Sequence, residues 1–286
     1  MLRMQLKHNR VLVVYKPIHK KESSTHEVLP HWVKHRRSHE RTIASVSREL
    51  QRFGFSFKLV DRSKFQPPKG IDFIVTVGGD GTVLTAAHMA NGIPILGVNS
   101  MPRVSVGFFC AVTAATFRPM LTAMLAGKKQ PTALPMLQGA IDGEPLTFPA
   151  LNDILFAASS PADSVYYKIK AGNKHEVQRS SGVWVTAGPG STAGFKSAGG
   201  IPSSIRDNRL RFIVREPCPL PGKSYHWLKY TLPAERPITI TNEGREGIVY
   251  LDGSAHVTLL KHHQTLTIGI APTRAQIFLS KKQLER

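Results

Sequence analysis

Cysteine is nearly absent from this chain. Cys110 and Cys218 are the only two in 286 residues, too few for a disulfide framework, so no disulfide is expected and a reducing compartment is the simpler setting. Long apolar runs are missing too: none reaches the roughly 20 residues that cross a bilayer, and residues 1–10 lack the apolar core of a signal peptide. The expectation is a soluble, cytoplasmic protein with no membrane partner. Acidic residues are scarce, 19 against 38 Lys and Arg, for a formal charge of +19. Such a balance calls for anionic partners. The basic residues fall in short clusters, at 19–21, 35–37, 128–129 and 281–282, with no zinc-finger, RNP or basic-zipper pattern, which argues against specific nucleic-acid recognition and for a polyanionic small substrate.

What the chain does have is one stretch that organises the rest. Phe73 to Val77 is a near-continuous run of β-branched and aromatic residues, as in a parallel strand buried on both faces. Gly78-Gly79-Asp80-Gly81-Thr82 follows, and then Val83, Ala86, Ala87 and Ala90 recur at helical spacing, with a helix expected from about Thr82. Glycines between a strand end and a helix start let a phosphate approach the backbone amides, and the helix adds its positive end at the same spot. No Gly-Lys-Ser/Thr follows, and the Gly-x-Gly-x-x-Gly spacing is absent, so the turn is neither a Walker A loop nor a dinucleotide fingerprint. A carboxylate among phosphate-binding amides needs other work, either receiving a proton from an attacking hydroxyl or holding Mg2+. The plainer alternative is a Gly-Asp-Gly turn with no ligand.

Strand and helix alternate through residue 100. Val11 to Tyr15 reads as a strand ending at Lys16, a contact for phosphate or a solvated loop lysine. A polar loop at 23–26 precedes a helix with Ile43, Val46, Leu50 and Phe53 on one face, stopped by Gly54. Further strands are expected over 55–60 and 93–98, the latter ending at Asn99. This pattern predicts a doubly wound parallel sheet whose ligand edge carries Lys16, Asp80 and Asn99. A helix lined by Phe117, Leu121, Met124 and Leu125 closes the first domain. Beyond Thr132 short strands separated by turns predict a β-rich second domain, beginning with a hairpin over 137–148 that turns at Asp142-Gly143. The fold class is therefore α/β, with an N-terminal doubly wound parallel-sheet domain over 1–130 followed by a β-rich domain over 131–271.

Two further segments carry polar chemistry. Asn152-Asp153 offers an amide and a carboxylate that suit the donor and acceptor edge of adenine or the hydroxyls of ribose, although such a pair is also common in turns. The loop from Gly188 to Gly200 is rich in glycine and hydroxyls. It suits a nucleotide, with amides for phosphate and Ser or Thr for ribose, or serves as a linker.

Gly78 to Thr82 resembles the signature of the NAD kinase family and of the wider superfamily that includes diacylglycerol and sphingosine kinases. Asn152-Asp153, where NAD kinases carry Asn-Glu, together with Gly190-Ser191-Thr192-Ala193 and Ser197-Ala198-Gly199-Gly200, selects the NAD kinase branch. The resemblance implies an enzyme that phosphorylates the adenosine 2′-hydroxyl of NAD+ or NADH with ATP and Mg2+. It assigns Asp80 as general base, and Gly81, Asn152, Asp153, Thr192, Ala193 and Ser197 to NAD. Gly78, Gly79, Thr82, Lys16 and Asn99 fall to the phosphates, with Gly190, Ser191 and Asp252 as additional site residues; Asp252 stands in a segment similar to the family's Phe-Asp-Gly. The protein ligands of the metal are not assigned. The resemblance further implies a homo-oligomer, dimer or tetramer, and a C-terminal segment, 272–286, returning to the first domain. The family's tyrosine is Gly194 here, leaving Phe195 as the candidate for any stacking, and its usual Asp is Ser181. Both departures, with 179–182 and 215–217, resemble the plant-type NADH kinases. The competing expectations are a lipid kinase of the same superfamily and a non-catalytic nucleotide-binding protein.

Overall fold

Strands with apolar side chains on both faces need helices packed on each side, and Val11 to Val14 and Phe73 to Val77 are of this kind. The structure, a computed structural model, describes residues 6–17 and 30–285; the predicted loop at 23–26 lies outside them. Contacts divide the chain into two units, Met1–Ala133 with Ala275–Glu285, and Leu134–Arg274.

The first unit runs β1 (Arg10–Tyr15), α1 (Pro30–Arg52), β2 (Ser56–Asp61), β3 (Phe73–Gly78), α2 (Asp80–Met89), β4 (Ile95–Asn99) and α3 (Ala114–Leu125). The strands are parallel in the order β2-β1-β3-β4. One face of this sheet gives Val11, Val13, Phe73, Val75, Val77, Leu96 and Val98 to a core shared with Val46 and Leu50 of α1 and Phe117, Leu121 and Met124 of α3. The opposite face receives α2, whose Val83 Cγ2 stands 3.1 Å from the position a Cβ on Gly97 would take. The chain runs outward from β1 to β2 and then crosses back to β3. The crevice at the carboxyl ends of β1 and β3 is therefore the switch point where open α/β sheets bind ligands.

The second unit contains β5 (Thr132–Ile141), β6 (Glu144–Pro145), β7 (Asp153–Ala157), β8 (Val165–Ala171), β9 (Lys174–Ser180), β10 (Gly182–Thr186), the single-turn α4 (Gly194–Ser197), β11 (Leu210–Arg215), β12 (Lys229–Leu232), β13 (Ile238–Asn242), β14 (Gly247–Leu251), β15 (His256–Leu260) and most of β16 (Thr265–Ile277). Two antiparallel sheets, β9-β8-β13-β16 and β12-β11-β10-β7-β14-β15, enclose one core. Tyr167, Ile169, Ile240 and Ile268 meet Ile154, Phe156, Val183, Val185, Phe212 and Val249 there. The hairpin between β5 and β6 turns on Asp142 (φ 49°) and Gly143 (φ 92°), the left-handed pair of a type I′ turn. Its second strand is only Glu144–Pro145, shorter than predicted. The sequence predicts strands at 154–157, 166–170, 183–186, 211–215, 248–251 and 266–270 in this unit, and β9, β12, β13 and β15 fall outside them. The end of β16 belongs to the first unit, where Ile277 pairs with Ile95 and α5 (Lys281–Leu284) follows.

Candidate active site

In the first unit β3 delivers Gly78 to the switch point, Gly79 caps α2 in an extended conformation (φ −123°), and Asp80 opens the helix. An acid in the first turn is favoured by the helix dipole. The half-buried carboxylate of Asp80 is fixed from both sides: Oδ1 accepts the Phe109 amide at 2.7 Å and Oδ2 the Phe108 amide at 2.8 Å. Gln283 of α5 donates to the Phe108 carbonyl at 2.5 Å, so the C-terminal segment braces the loop that holds Asp80. Each carboxylate oxygen retains lone-pair capacity for a substrate proton. The neighbouring Cys110 thiol is pushed upward in pKa by its burial and then by the negative charge of Asp80, which keeps it protonated.

Lys16 follows β1, and its amide donates to the Val77 carbonyl at 3.1 Å. A Cβ on Gly78 would stand 2.3 Å from Thr82 Oγ1 and 3.4 Å from Lys16 Cβ, so these residues form one knot around the turn. Gly79 adjoins Ser105, and Gly81 is exposed. Thr82 is 1 % exposed, with Oγ1 enclosed and unpartnered behind Gly78. Asn99 pairs in register with Gly78, but its amide serves its own loop, donating to the Ser105 carbonyl and accepting the Met101 amide.

Two residues here escape sequence reasoning. His39 of α1 is 2 % exposed and its Nδ1 lies 2.7 Å from Ser100 Oγ. Ser100 donates both its amide, at 3.0 Å, and its hydroxyl, at 3.5 Å, to the Gly78 carbonyl. Burial lowers the pKa of this imidazole, with the Lys16 charge acting the same way against the Lys16 main chain and Glu40. The second residue is Arg62, whose Nη1 lies 3.3 Å from the position of a Cβ on Gly81. The rule that singles out Lys16, the carboxyl end of a parallel strand, also selects Arg62 just beyond β2.

The second unit brings Asn152, Asp153, Gly190 and Asp252 together. The Asp252 carboxylate accepts three consecutive amides, from Leu151 at 2.8 Å, Asn152 at 2.7 Å and Asp153 at 3.1 Å. Thr186 Oγ1 donates to the Asn152 carbonyl at 2.6 Å. Gly190 packs so closely on that carbonyl that a Cβ would fall 1.7 Å from its oxygen, which makes glycine obligatory and joins the two polar segments. Asp153 is 5 % exposed, and its carboxyl pKa is raised well above the usual range, by burial first and the Asp252 charge second. Ser191 is fully buried, bonding within its loop to the Gly188 carbonyl and the Ser203 amide. Thr192 and Ala193 are half-buried and Ser197 is exposed, so these three are open to a ligand.

Phe195 does not offer its ring. It is 5 % exposed, and a Cβ on Gly200 would fall 2.2 Å from its Cε1. The aromatic beside Gly194 is instead Trp184 of β10, half-buried, with ring atoms 2.9–3.1 Å from where a Cβ on Gly194 would be. A single run of sequence around Trp184 gives no sign of this contact, because it depends on how the loop folds back over the strand.

Residues 11–129 match the family model described as the ATP-NAD kinase N-terminal domain. The probable NADH kinase of Oryza sativa subsp. japonica is 33 % identical over 273 residues, covering 87 % of this chain and 84 % of that one. The NADH kinase of Arabidopsis thaliana is 29 % identical over 266 residues, covering 85 % of this chain and 84 % of that one. Among solved structures, an NAD kinase from Archaeoglobus fulgidus in complex with ATP shares the fold with a TM-score of 0.73 at 23 % identity, covering 96 % of each chain.

Proposed function

The chain belongs to the NAD kinase family, and on that premise we propose that it transfers the terminal phosphoryl group of ATP to the adenosine 2′-hydroxyl of NAD+ or NADH. The observation that carries this reading is Asp80, a carboxylate held by the Phe108 and Phe109 amides at the start of α2, in a glycine-rich turn that Lys16 and Arg62 adjoin. A ribose hydroxyl is a poor nucleophile at neutral pH. A carboxylate positioned to receive its proton as the oxygen attacks phosphorus contributes ~10²–10⁴-fold. Because the amides fix the orientation of Asp80 beforehand, none of that gain is lost to reorganisation.

In the second unit, Asn152 and Asp153 are the groups we assign to adenosine, with Thr192, Ala193 and Ser197 beside them. Asp252 acts behind this corner, holding its backbone. Mg2+ would neutralise the transferring phosphoryl oxygens. Among the described residues no group of three or more His, Cys, Asp or Glu could hold a metal. The residues at the turn, with Asp80 the one carboxylate there, fit an ion held chiefly by phosphate oxygens and water. Among the described residues no helix is long and apolar enough to cross a membrane. The rice and Arabidopsis relatives are named NADH kinases, which supports NADH as an acceptor.

The test is a coupled assay with ATP and Mg2+, comparing NAD+ and NADH, on wild type and Asp80→Asn. Wild type should form NADP(H), and the variant should lose roughly 10²-fold or more in kcat while still binding both nucleotides. A variant that keeps most of its turnover would remove Asp80 from the chemistry; no product from either acceptor would refute the kinase reading.

A further inference from the structure

Arg62 lies beside Gly81 without a carboxylate partner among the described residues. It begins a 3-10 turn over Arg62–Lys64, and the adjacent carboxylate, Asp61, is committed to that turn: Oδ1 accepts both the amide and the hydroxyl of Ser63 at 2.8 Å. The carboxylate of Asp80 is bound by the amides of Phe108 and Phe109. From Gly81 to Ile141 the sequence contains no Asp or Glu, so beyond Asp80 itself, whose two oxygens are already engaged, the helix that Arg62 overlies and the loop after it supply no counter-charge. Among the described residues its guanidinium forms no ion pair, yet the side chain is half-buried against Gly81.

Its position is also electrostatically adverse. Gly81 lies in the first turn of α2, a ten-residue helix whose N-terminus carries partial positive charge. Lys16, whose Cβ lies 3.4 Å from the position of a Cβ on Gly78, adds a second cation near the same turn, close enough to depress the pKa of His39. Two cations at the positive end of a helix repel each other and the dipole. A bound polyanion would offset these repulsions by attracting both cations and the helix end at once.

We propose that Arg62 is a ligand for the donor polyphosphate, its planar fork gripping phosphate oxygens above Gly81 while the turn amides hold them from below. The assignment rests on the donor site proposed above. It names a substrate-binding residue outside the glycine-rich turn, and it explains why the side chain lies across the one exposed residue of that turn.

The experiment combines thermal unfolding with kinetics on Arg62→Gln and Arg62→Lys, with inorganic tripolyphosphate and ATP as probes. Wild type should be stabilised by tripolyphosphate. Arg62→Gln should lose that stabilisation and raise the KM for ATP on the order of 10- to 100-fold, with the KM for NADH unchanged. Without ligand it should unfold no earlier than wild type, since a repulsive charge has been removed. Arg62→Lys, keeping charge without the fork, should fall between. If wild type responds to tripolyphosphate and Arg62→Gln responds equally, Arg62 is not a ligand although the donor site stands. A lowered unfolding temperature of the unliganded Gln variant would make the residue structural and overturn the proposal. Wild type neither stabilised by tripolyphosphate nor active with ATP would refute the donor site and Arg62 with it.

Discussion

Asp252 is the residue whose removal has the most calculable effect. Its carboxylate receives the amides of Leu151, Asn152 and Asp153 within 2.7–3.1 Å, and its own backbone is left-handed (φ 50°). In Asp252→Ala three partly buried amides lose an ionised acceptor. A buried donor left unsatisfied costs roughly 1–3 kcal/mol, and alanine also loses the local side-chain bonding that eases aspartate into the left-handed region. The three bonds share one carboxylate and water reaches the corner, so the sum is not additive. A loss of about 3–5 kcal/mol is expected, a large share of the roughly 5–15 kcal/mol that keeps a domain folded. Asp252→Asn tolerates the backbone and keeps one acceptor oxygen for Asn152 and Asp153, but turns an NH2 toward the Leu151 amide, so it should cost about 1–3 kcal/mol. Urea unfolding measures both. Under the adenosine assignment, the Asn variant should raise the KM for NADH while leaving that for ATP near wild type. Asp252→Ala within 1 kcal/mol of wild type would show that these bonds do not hold the corner, and equal rises in both KM values would show that the corner does not serve the acceptor in particular.

Two further outcomes follow from the same unit. Asp153 has its carboxyl pKa raised, by burial and then by Asp252, so the folded state prefers the protonated form. Its contribution to stability is full below the unfolded value of about 3.9 and is lost as pH rises through the higher folded value. Asp153→Asn should therefore flatten the decline of unfolding temperature from acid toward neutral pH and unfold later than wild type at neutral pH; identical pH profiles would show that Asp153 does not titrate as its burial requires. Gly194→Tyr drives its Cβ into the Trp184 ring and should destabilise by about 1–3 kcal/mol, with Trp184→Ala in the same chain recovering part of the loss. Additive effects of the two substitutions, measured by thermal unfolding, would show that the residues do not share one space.

The first unit is legible where chemistry and periodicity agree. The apolar run from Phe73, the glycines after it and the helical spacing of Val83, Ala86 and Ala87 each restrict the chain to the same strand, turn and helix, with the helix opening at Asp80 rather than near Thr82. β9 is illegible for the opposite reason. Its inward positions are Gln178 and Ser180, both fully buried, and its one aliphatic residue, Val177, is 41 % exposed. The Tyr167 hydroxyl bonds both buried polar groups, donating to Gln178 Oε1 at 3.1 Å and lying 2.9 Å from Ser180 Oγ, so the strand is amphipathic in reverse and only its cross-strand partner reveals why. His39 and Arg62 are hidden differently, each a basic residue in a chain full of them: His39 is distinguished only by its link through Ser100 to Gly78, whereas Arg62 stands where the strand-end rule already points and is confirmed by its approach to Gly81. Asn152 and Gly190 were readable as polar and flexible, but not as touching.

The same distinction bears on whether the departures at Gly194 and Ser181 mark a decayed site. Decay would remove a side chain and leave a void or an unpaired group. Gly194 leaves neither, because the indole of Trp184 packs against the place where a Cβ would stand. Ser181 lies beside a cavity of about 170 Å³ that Arg215, Tyr250 and Leu155 also line, and its amide bonds the Arg215 carbonyl at 3.1 Å. Where another chain would place a carboxylate, this one has a serine, and Arg215 lines the same cavity. Asp80, meanwhile, keeps both amides that orient it. The packed space at Gly194 in the second unit and the doubly held carboxylate of Asp80 in the first leave neither the void nor the unpaired group that decay would leave.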